Sequence, residues 1–281
     1  MTFRTRFAPS PTGPLHLGHA FSALTAFDMA QAAGGTFLLR IEDIDSTRSR
    51  PEWERRIHDD LRWLGLDWPE PALRQSDRLP AYRAALESLW SQGLLYACSC
   101  TRRDIAEAAS APQEGAPMIG PDGPVYPGTC RGKPRGGPLP EGALRLDMAR
   151  ALDCLAMAEV TFIETGPRAA PRITARALVE AVGDIVLSRR DFPGSYHLSV
   201  VLDDAAQQIT QVVRGEDLFD ATQIHVVLQG LLGLPTPIYH HHRLIRDDQG
   251  KRLAKRDDAR AIATYRAEGA TPQDIRAMVG L

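Results

Sequence analysis

The feature that most constrains this chain is the alternation at its N-terminus. Residues 3–7 are a short apolar run, and a Pro/Gly turn follows through Pro14. Residues 17–33 then carry Leu17, Phe21, Leu24 and Phe27 near one helical face, and Gly34-Gly35 stops the helix. Residues 36–41 (Thr-Phe-Leu-Leu-Arg-Ile) are a near-continuous apolar run of strand length. Strand, helix, strand at this spacing is a βαβ unit, so 3–7 and 36–41 are expected to be parallel neighbours. The expected fold class is α/β, with a Rossmann-like parallel sheet. Such sheets bind ligands beyond the carboxyl ends of their strands. The turn after Phe7 and the segment Arg40-Ile41-Glu42-Asp43-Ile44-Asp45 both fall there, converging on one cleft.

Farther along, residues 48–64 read as an amphipathic helix with Trp53, Ile57, Leu61 and Leu64 inward, and 80–92 as another, opened by Pro80 and closed by Gly93. Residues 110–140 are rich in Pro and Gly, carry the basic patch Arg131-Gly132-Lys133-Pro134-Arg135, and show no long apolar period. An insertion this small does not hold itself by burial, and such pieces often take a metal. Short strand-like runs fill 143–190. Residues 198–204 and 209–213 are expected strands, 223–234 a helix, and 237–241 a strand aimed at the basic loop 251–256. The formal charge is only -2, so any RNA contact must come from local basic patches. No apolar stretch approaches the ~18 residues that span a bilayer, and no signal-peptide run follows Arg6. A cytoplasmic monomer without membrane contact is expected. Three of the four cysteines cluster locally, unlike a secreted disulfide framework.

The turn delivers His16 and His19 to the start of the first helix, beside Gly18. Two imidazoles at a helix N-terminus suit polyphosphate oxygens, and backbone N–H groups there favour anions. The chain has no G-x-x-x-x-G-K-[ST] and no G-x-G-x-x-G after a strand, so phosphate has to be held by side chains and a helix end. With Lys251-Arg252-Leu253-Ala254-Lys255-Arg256 near the far end, this points to ATP-dependent activation of a carboxylate. An acidic substrate side chain calls for a guanidinium, and Arg6 and Arg214 both stand at strand ends. An isolated Arg40/Glu42 is most simply a surface pair. His240-His241-His242 alternate faces on a strand and cannot converge on one metal. Cys154 reads as a core residue, and the tryptophans as core.

Residues 6–19, Arg-Phe-Ala-Pro-Ser-Pro-Thr-Gly-Pro-Leu-His-Leu-Gly-His, resemble the HIGH signature of class I aminoacyl-tRNA synthetases in its glutamyl/glutaminyl form. Arg40 to Asp45 resembles the second signature of that subclass, and Arg252-Leu253-Ala254-Lys255-Arg256 is similar to the KMSKS loop, with arginine for its first lysine and Ala254 for the usual serine. The resemblance implies catalytic roles for His16, His19 and Lys255, and ATP binding by those three with Gly18, the ATP accompanied by Mg²⁺. It implies glutamate binding by Arg6, Phe7, Ala8, Pro9, Ser10, Glu42, Tyr196 and Arg214, with Glu42 on the α-ammonium. Cys98-x-Cys100 and Tyr126-x-x-x-Cys130 resemble the zinc site of glutamyl-Q tRNA(Asp) synthetases, which implies one structural Zn²⁺ on Cys98, Cys100, Tyr126 and Cys130. Tyrosine as a ligand follows from this resemblance alone.

These readings divide the chain into 1–97, the first half of the catalytic domain; 98–180, a zinc-containing insertion resembling an acceptor-binding subdomain; 181–256, the second half with the KMSKS-like loop; and 257–281, a short helical tail. An ordinary glutamyl-tRNA synthetase has an anticodon-binding region after this loop, and none is expected here. That points to the glutamyl-Q tRNA(Asp) synthetase family, which activates L-glutamate to glutamyl-adenylate without tRNA and transfers it to queuosine in the anticodon loop of tRNA(Asp). Arg131, Lys133 and Arg135 are candidates for gripping RNA phosphates. A truncated glutamyl-tRNA synthetase charging a tRNA 3′ end, and a non-catalytic RNA-binding paralogue, remain alternatives.

Overall fold

A computed structural model describes residues 2–109, 119–189, 194–246 and 260–281. Strand β1 (Arg4–Phe7), helix α1 (Leu17–Ala32) and strand β2 (Thr36–Ile41) form the expected βαβ unit, with Arg4 opposite Thr36 and Phe7 opposite Leu39 in parallel register. Gly34, at φ +59, turns the chain after α1. Gly35 lets it close, because a Cβ there would lie 2.2 Å from the carbonyl oxygen of Phe3. Helix α2 (Pro51–Trp63) starts at its proline, whose fixed φ suits the first turn. Strand β3 (Leu73–Arg74) extends the sheet beside β2, and helix α3 (Leu79–Ser91) follows.

Strand β4 (Leu95–Ala97) leads through helix α4 (Arg102–Ala109) and the small hairpin of β5 (Ile119–Gly120) and β6 (Gly123–Pro124) to β7 (Leu144–Leu146). Next come helix α5 (Met148–Cys154), strand β8 (Glu159–Val160), its antiparallel partner β9 (Ile173–Thr174), helix α6 (Ala175–Ala181) and strand β10 (Val186–Ser188). Strand β7 pairs antiparallel with both β4 and β10. Helix α7 (Tyr196–Ala206) and strand β11 (Gln211–Gly215) bring the chain back beside β1, where Thr210 N–H donates to the Arg4 carbonyl at 3.1 Å. Helix α8 (Thr222–Leu231) connects β11 to its parallel partner β12 (Ile238–His242), and helices α9 (Ile262–Ala267) and α10 (Pro272–Val279) close the described chain.

Consecutive strand residues show how the layers are arranged. Val212 belongs to a core with α3, α5, α6, α7 and α8, whereas Val213 belongs to one with α1, α2 and α10. Neighbours on a strand point to opposite faces, so the parallel strands are covered on both sides by helices. Arg276 secures α10 to α1 through two bonds to Asp28, at 2.7 and 2.8 Å.

Three elements differ from expectation: α5 and α6 are helices within 143–190, where short strand-like runs were expected, because Asp147 and Thr174 cap them by accepting the Arg150 and Ala177 N–H groups, and the third is α7. Residues 198–204, read above as a strand, lie in α7. Ser195 caps that helix by accepting the Leu198 N–H, and Leu198, Val200 and Val201 are all buried, so no alternation separates the two periods. The helix places Asp203 and Asp204 on its inner side, which a strand would have split between two faces.

Candidate active site

A cleft of about 530 Å³ opens at the carboxyl ends of β1, β2, β11 and β12. Its wall contains Arg6, Phe7, Ala8, Ser10, His16, Gly18, His19, Glu42, Tyr196 and Arg214, which the sequence had assigned to one site. Pro9 is not on that wall. Its carbonyl accepts the Glu42 N–H at 3.0 Å and so ties the turn after β1 to the end of β2.

At one end of the cleft the histidines begin α1. His16 Nδ1 accepts the Gly18 N–H at 3.1 Å, and His19 Nδ1 accepts the His16 N–H at 3.1 Å, a reciprocal capping box built from imidazoles. With each Nδ1 engaged as acceptor, a neutral ring carries its proton on Nε2. Two N–H donors so placed suit phosphate oxygens. The rings lie 3.8 Å apart, and a Cβ at residue 18 would stand 3.0 Å from His16 Cε1, which explains the glycine.

At the other end two arginines reach the cleft in different ways. Arg6 pairs with Asp204 through Nε at 2.9 Å, and its Nη1 donates to the Val213 carbonyl at 3.2 Å. Arg40, completely buried, donates to the same Asp204 oxygen at 2.6 Å and to Glu42 at 3.1 Å. Two cations therefore face two anions. Burial pushes the Asp204 carboxyl upward, but Arg6 and Arg40 overcome it and hold it below its ordinary value. For Glu42 burial wins over Arg40 and Arg6, and its pKa is raised. This pair, read from the sequence as superficial, is internal.

Arg214 is also buried, at 5% exposure, but is surrounded by neutral acceptors. It donates through Nε to His241 Nε2 and through Nη1 to His225 Nδ1, both at 3.1 Å, and through Nη2 to Thr222 Oγ1 at 2.7 Å and the Leu218 carbonyl at 3.3 Å. Burial and the adjacent Arg214 push His225 far below its ordinary pKa, and the same causes bring His241 down to about 4 against the pull of Glu164. Both rings are uncharged at neutral pH. Among the described residues no carboxylate bonds directly to Arg214, and the nearest one on its partners, Glu164, is reached through the His241 ring, so an anion entering the cleft can pair with the guanidinium directly. Local pattern carries no sign of Asp204, His225 or His241 at this site, since each comes from a different element.

The cysteine cluster is separate from this cleft. The sulfurs of Cys98, Cys100 and Cys130 lie within 4.8 Å of one another. The Tyr126 hydroxyl is 3.6 Å from Cys98 and 3.3 Å from Cys100, and it accepts the Cys130 N–H at 2.9 Å. Tetrahedral ligation with metal–sulfur bonds of about 2.3 Å separates sulfurs by about 3.8 Å, close to the 3.6 Å between Cys100 and Cys130. Burial raises Cys100, whereas Cys130 is brought to about 6 because hydrogen bonds from Tyr126 and Ser99 outweigh burial. Arg145 donates to Cys98 Sγ at 3.4 Å, adding positive charge beside the sulfurs. Three thiols and a phenol converging on one point can hold a divalent metal.

Other expectations need revision. Arg131 and Arg135 are engaged with the buried carboxylates of Asp184 and Asp147, at 2.7 and 2.6 Å, and Lys133 donates to Ser99 at 2.8 Å. They brace the fold, so the basic patch is not a row of unpaired cations. Cys154, at the end of α5, is exposed and not a core residue. Lys255 and the rest of the 251–256 loop lie outside the described residues, although Arg243, Leu244 and Ile245 on the cleft wall lead toward it. No described helix is long and apolar enough to cross a membrane.

Comparison with known proteins agrees with this geometry. The family model for "tRNA synthetases class I (E and Q), catalytic domain" matches residues 2–119 and 171–281, which sets the class of the fold and cleft. The glutamyl-Q tRNA(Asp) synthetase of Rhodobacter capsulatus is 67% identical over 282 residues, covering 99% of each chain. That of Nocardia farcinica is 43% identical over 274 residues, covering 98% of this chain and 82% of the relative. A crystal structure of a glutamate tRNA ligase from Elizabethkingia meningosepticum in complex with its amino acid superposes with a TM-score of 0.77 at 27% identity. It is covered over 100% of this chain and 61% of its own. The chain belongs to the glutamyl-Q tRNA(Asp) synthetase family of class I tRNA synthetases.

Proposed function

We propose that the protein activates L-glutamate with ATP, without tRNA, and transfers the glutamyl group to queuosine in the anticodon loop of tRNA(Asp). The observation that carries the reading is Arg214, a buried guanidinium whose described partners are all neutral. A buried charge calls for an opposite one, and planar guanidinium suits carboxylate. The side-chain carboxylate of glutamate completes the pair beside Arg6. Glu42, whose pKa burial raises, gains a further cationic partner in the substrate's α-ammonium. Tyr196 and Ser10 supply polar walls, and Phe7, Ala8 and Pro9 supply the turn.

The α-carboxylate then attacks the α-phosphorus of ATP, forming glutamyl-adenylate and releasing pyrophosphate. His16 and His19 donate N–H bonds to the phosphate oxygens from one side, Gly18 lets the helix end approach, and Lys255 serves from the opposite side. Catalysis is alignment and stabilisation of phosphate charge. Mg²⁺ bound with the ATP would neutralise part of that charge. A hydroxyl of queuosine next attacks the activated carbonyl, and AMP leaves. Residues 98–180 act as an inserted subdomain between the catalytic halves 1–97 and 181–256, and Cys98, Cys100, Tyr126 and Cys130 would hold one zinc, which would cross-link its loops. The protein works in the cytoplasm as a monomer.

Glutamate-dependent ATP–pyrophosphate exchange in the absence of tRNA tests the first half, and lack of exchange with any amino acid would sink it. Labelled glutamate offered to tRNA(Asp) with and without queuosine tests the second. Label on queuosine-free tRNA, or label that requires an intact 3′ end, would favour charging of the terminal adenosine. Metal analysis is expected to give about one zinc per chain, as for a closed site. Its removal by chelator is expected to lower the melting temperature, and a stable metal-free protein contradicts the zinc assignment.

A further inference from the structure

The family model leaves residues 120–170 unmatched, and this segment sends one carboxylate under the cleft. The Glu164 side chain is fully buried, as is that of His241. Glu164 Oε1 accepts two backbone N–H groups, from Gly166 at 2.7 Å and His241 at 2.9 Å, and Oε2 accepts His241 Nδ1–H at 2.5 Å. A Cβ at Gly166 would stand 2.4 Å from the His241 carbonyl, so this close approach requires glycine. The His241 ring is clamped as well, stacked on Tyr239 at an interplanar angle of 4° and edged by Phe219 at 5.1 Å.

The ring therefore cannot turn, and only its proton is left to settle. With Nδ1–H committed to Glu164, Nε2 presents a lone pair, and that lone pair receives Arg214 Nε–H at 3.1 Å. The other tautomer would set an N–H against the Arg214 Nε–H, with Thr222 Oγ1, 3.2 Å from the same nitrogen, as its alternative acceptor. We infer that Glu164 is a positioning residue which, by fixing the tautomer of His241, holds the rotation of the Arg214 guanidinium and so sets affinity for the acidic substrate and its preference over the corresponding amide. The inference rests on the reading of Arg214 as the carboxylate-binding group.

Glu164→Gln isolates the effect. Its single carbonyl oxygen is needed by the two backbone N–H groups, which turns its NH₂ toward His241 Nδ1 and drives the proton to Nε2. In the exchange assay we expect the glutamate KM to rise roughly 10-fold, on the order of 1.4 kcal/mol, with kcat and the ATP KM close to wild type. ¹⁵N spectra of the labelled protein are expected to show the two ring nitrogens of His241 exchanging character. His241→Gln offers Arg214 a carbonyl oxygen that has no tautomer, so adding Glu164→Gln to it is expected to leave the glutamate KM unchanged. An unchanged KM in Glu164→Gln, or an equal rise in both backgrounds, overturns the inference. Absence of exchange in the wild-type protein instead removes the functional reading on which it rests.

Discussion

Arg6 and Arg214 reach the same cleft from adjacent strands, yet they are held by opposite means. Arg6 sits in a closed set of two guanidiniums and two carboxylates, with Asp204 at its centre. Arg214 is held as firmly, but by two uncharged imidazoles, a hydroxyl and a carbonyl. The first arrangement fixes geometry and cancels charge. The second fixes geometry and leaves the charge for a ligand. Burial depth alone, nearly equal for the two, says nothing of this difference; the identity of the acceptors decides it.

The contrast can be broken from either side. Removing the shared anion with Asp204→Asn leaves Arg6 and Arg40 without their common partner, and a loss of about 3–5 kcal/mol in urea unfolding is expected. The pH dependence carries a sign. Asp204 is held below its unfolded value, so its contribution is present above roughly pH 4 and drains away as pH falls through the lowered folded value. The Asn variant is expected to lose that part of the acid dependence, and an acid limb as steep as in wild type contradicts the pairing. Arg214→Ala is expected to cost about 10²-fold in kcat/KM for glutamate-dependent exchange, with a smaller loss in urea unfolding than Asp204→Asn. A large stability loss and an intact KM would reverse the roles given to the two arginines.

Smaller changes sharpen the comparison. Gly18→Ala crowds the His16 ring at the phosphate end, so the ATP KM is expected to rise several-fold, on the order of 1 kcal/mol, while the glutamate KM stays fixed. Movement of the glutamate KM would mean that the two ends of the cleft are not independent. Ser195→Ala removes the cap of α7, the helix that carries Asp204, and about 1 kcal/mol of stability is expected to go with it. Calorimetry of that variant reads the loss directly.

Much of this fold is legible in local pattern. The first βαβ unit follows from apolar runs and the Gly34-Gly35 stop, and one end of the cleft follows from His16 and His19 at a helix start. The α7 segment is not legible that way, because a fully buried apolar run has no polar face to reveal its period. The surroundings of the arginines are hidden for another reason: Asp204, His225, His241 and Glu164 lie far apart in the chain and meet only after the sheet and its helices have closed. The same holds for Arg131 and Arg135, whose carboxylate partners Asp184 and Asp147 come from elsewhere in the chain.

Strand β11 places Val212 in one core, Val213 in the other, and Arg214 next in line. A pairing error of one residue would exchange the faces of all three, turning the guanidinium away from the cleft and mismatching both cores at once. Any molecule that has assembled this strand incorrectly is thus both unstable and without Arg214 in its cleft. Core packing and the placing of that charge are set by the same three residues.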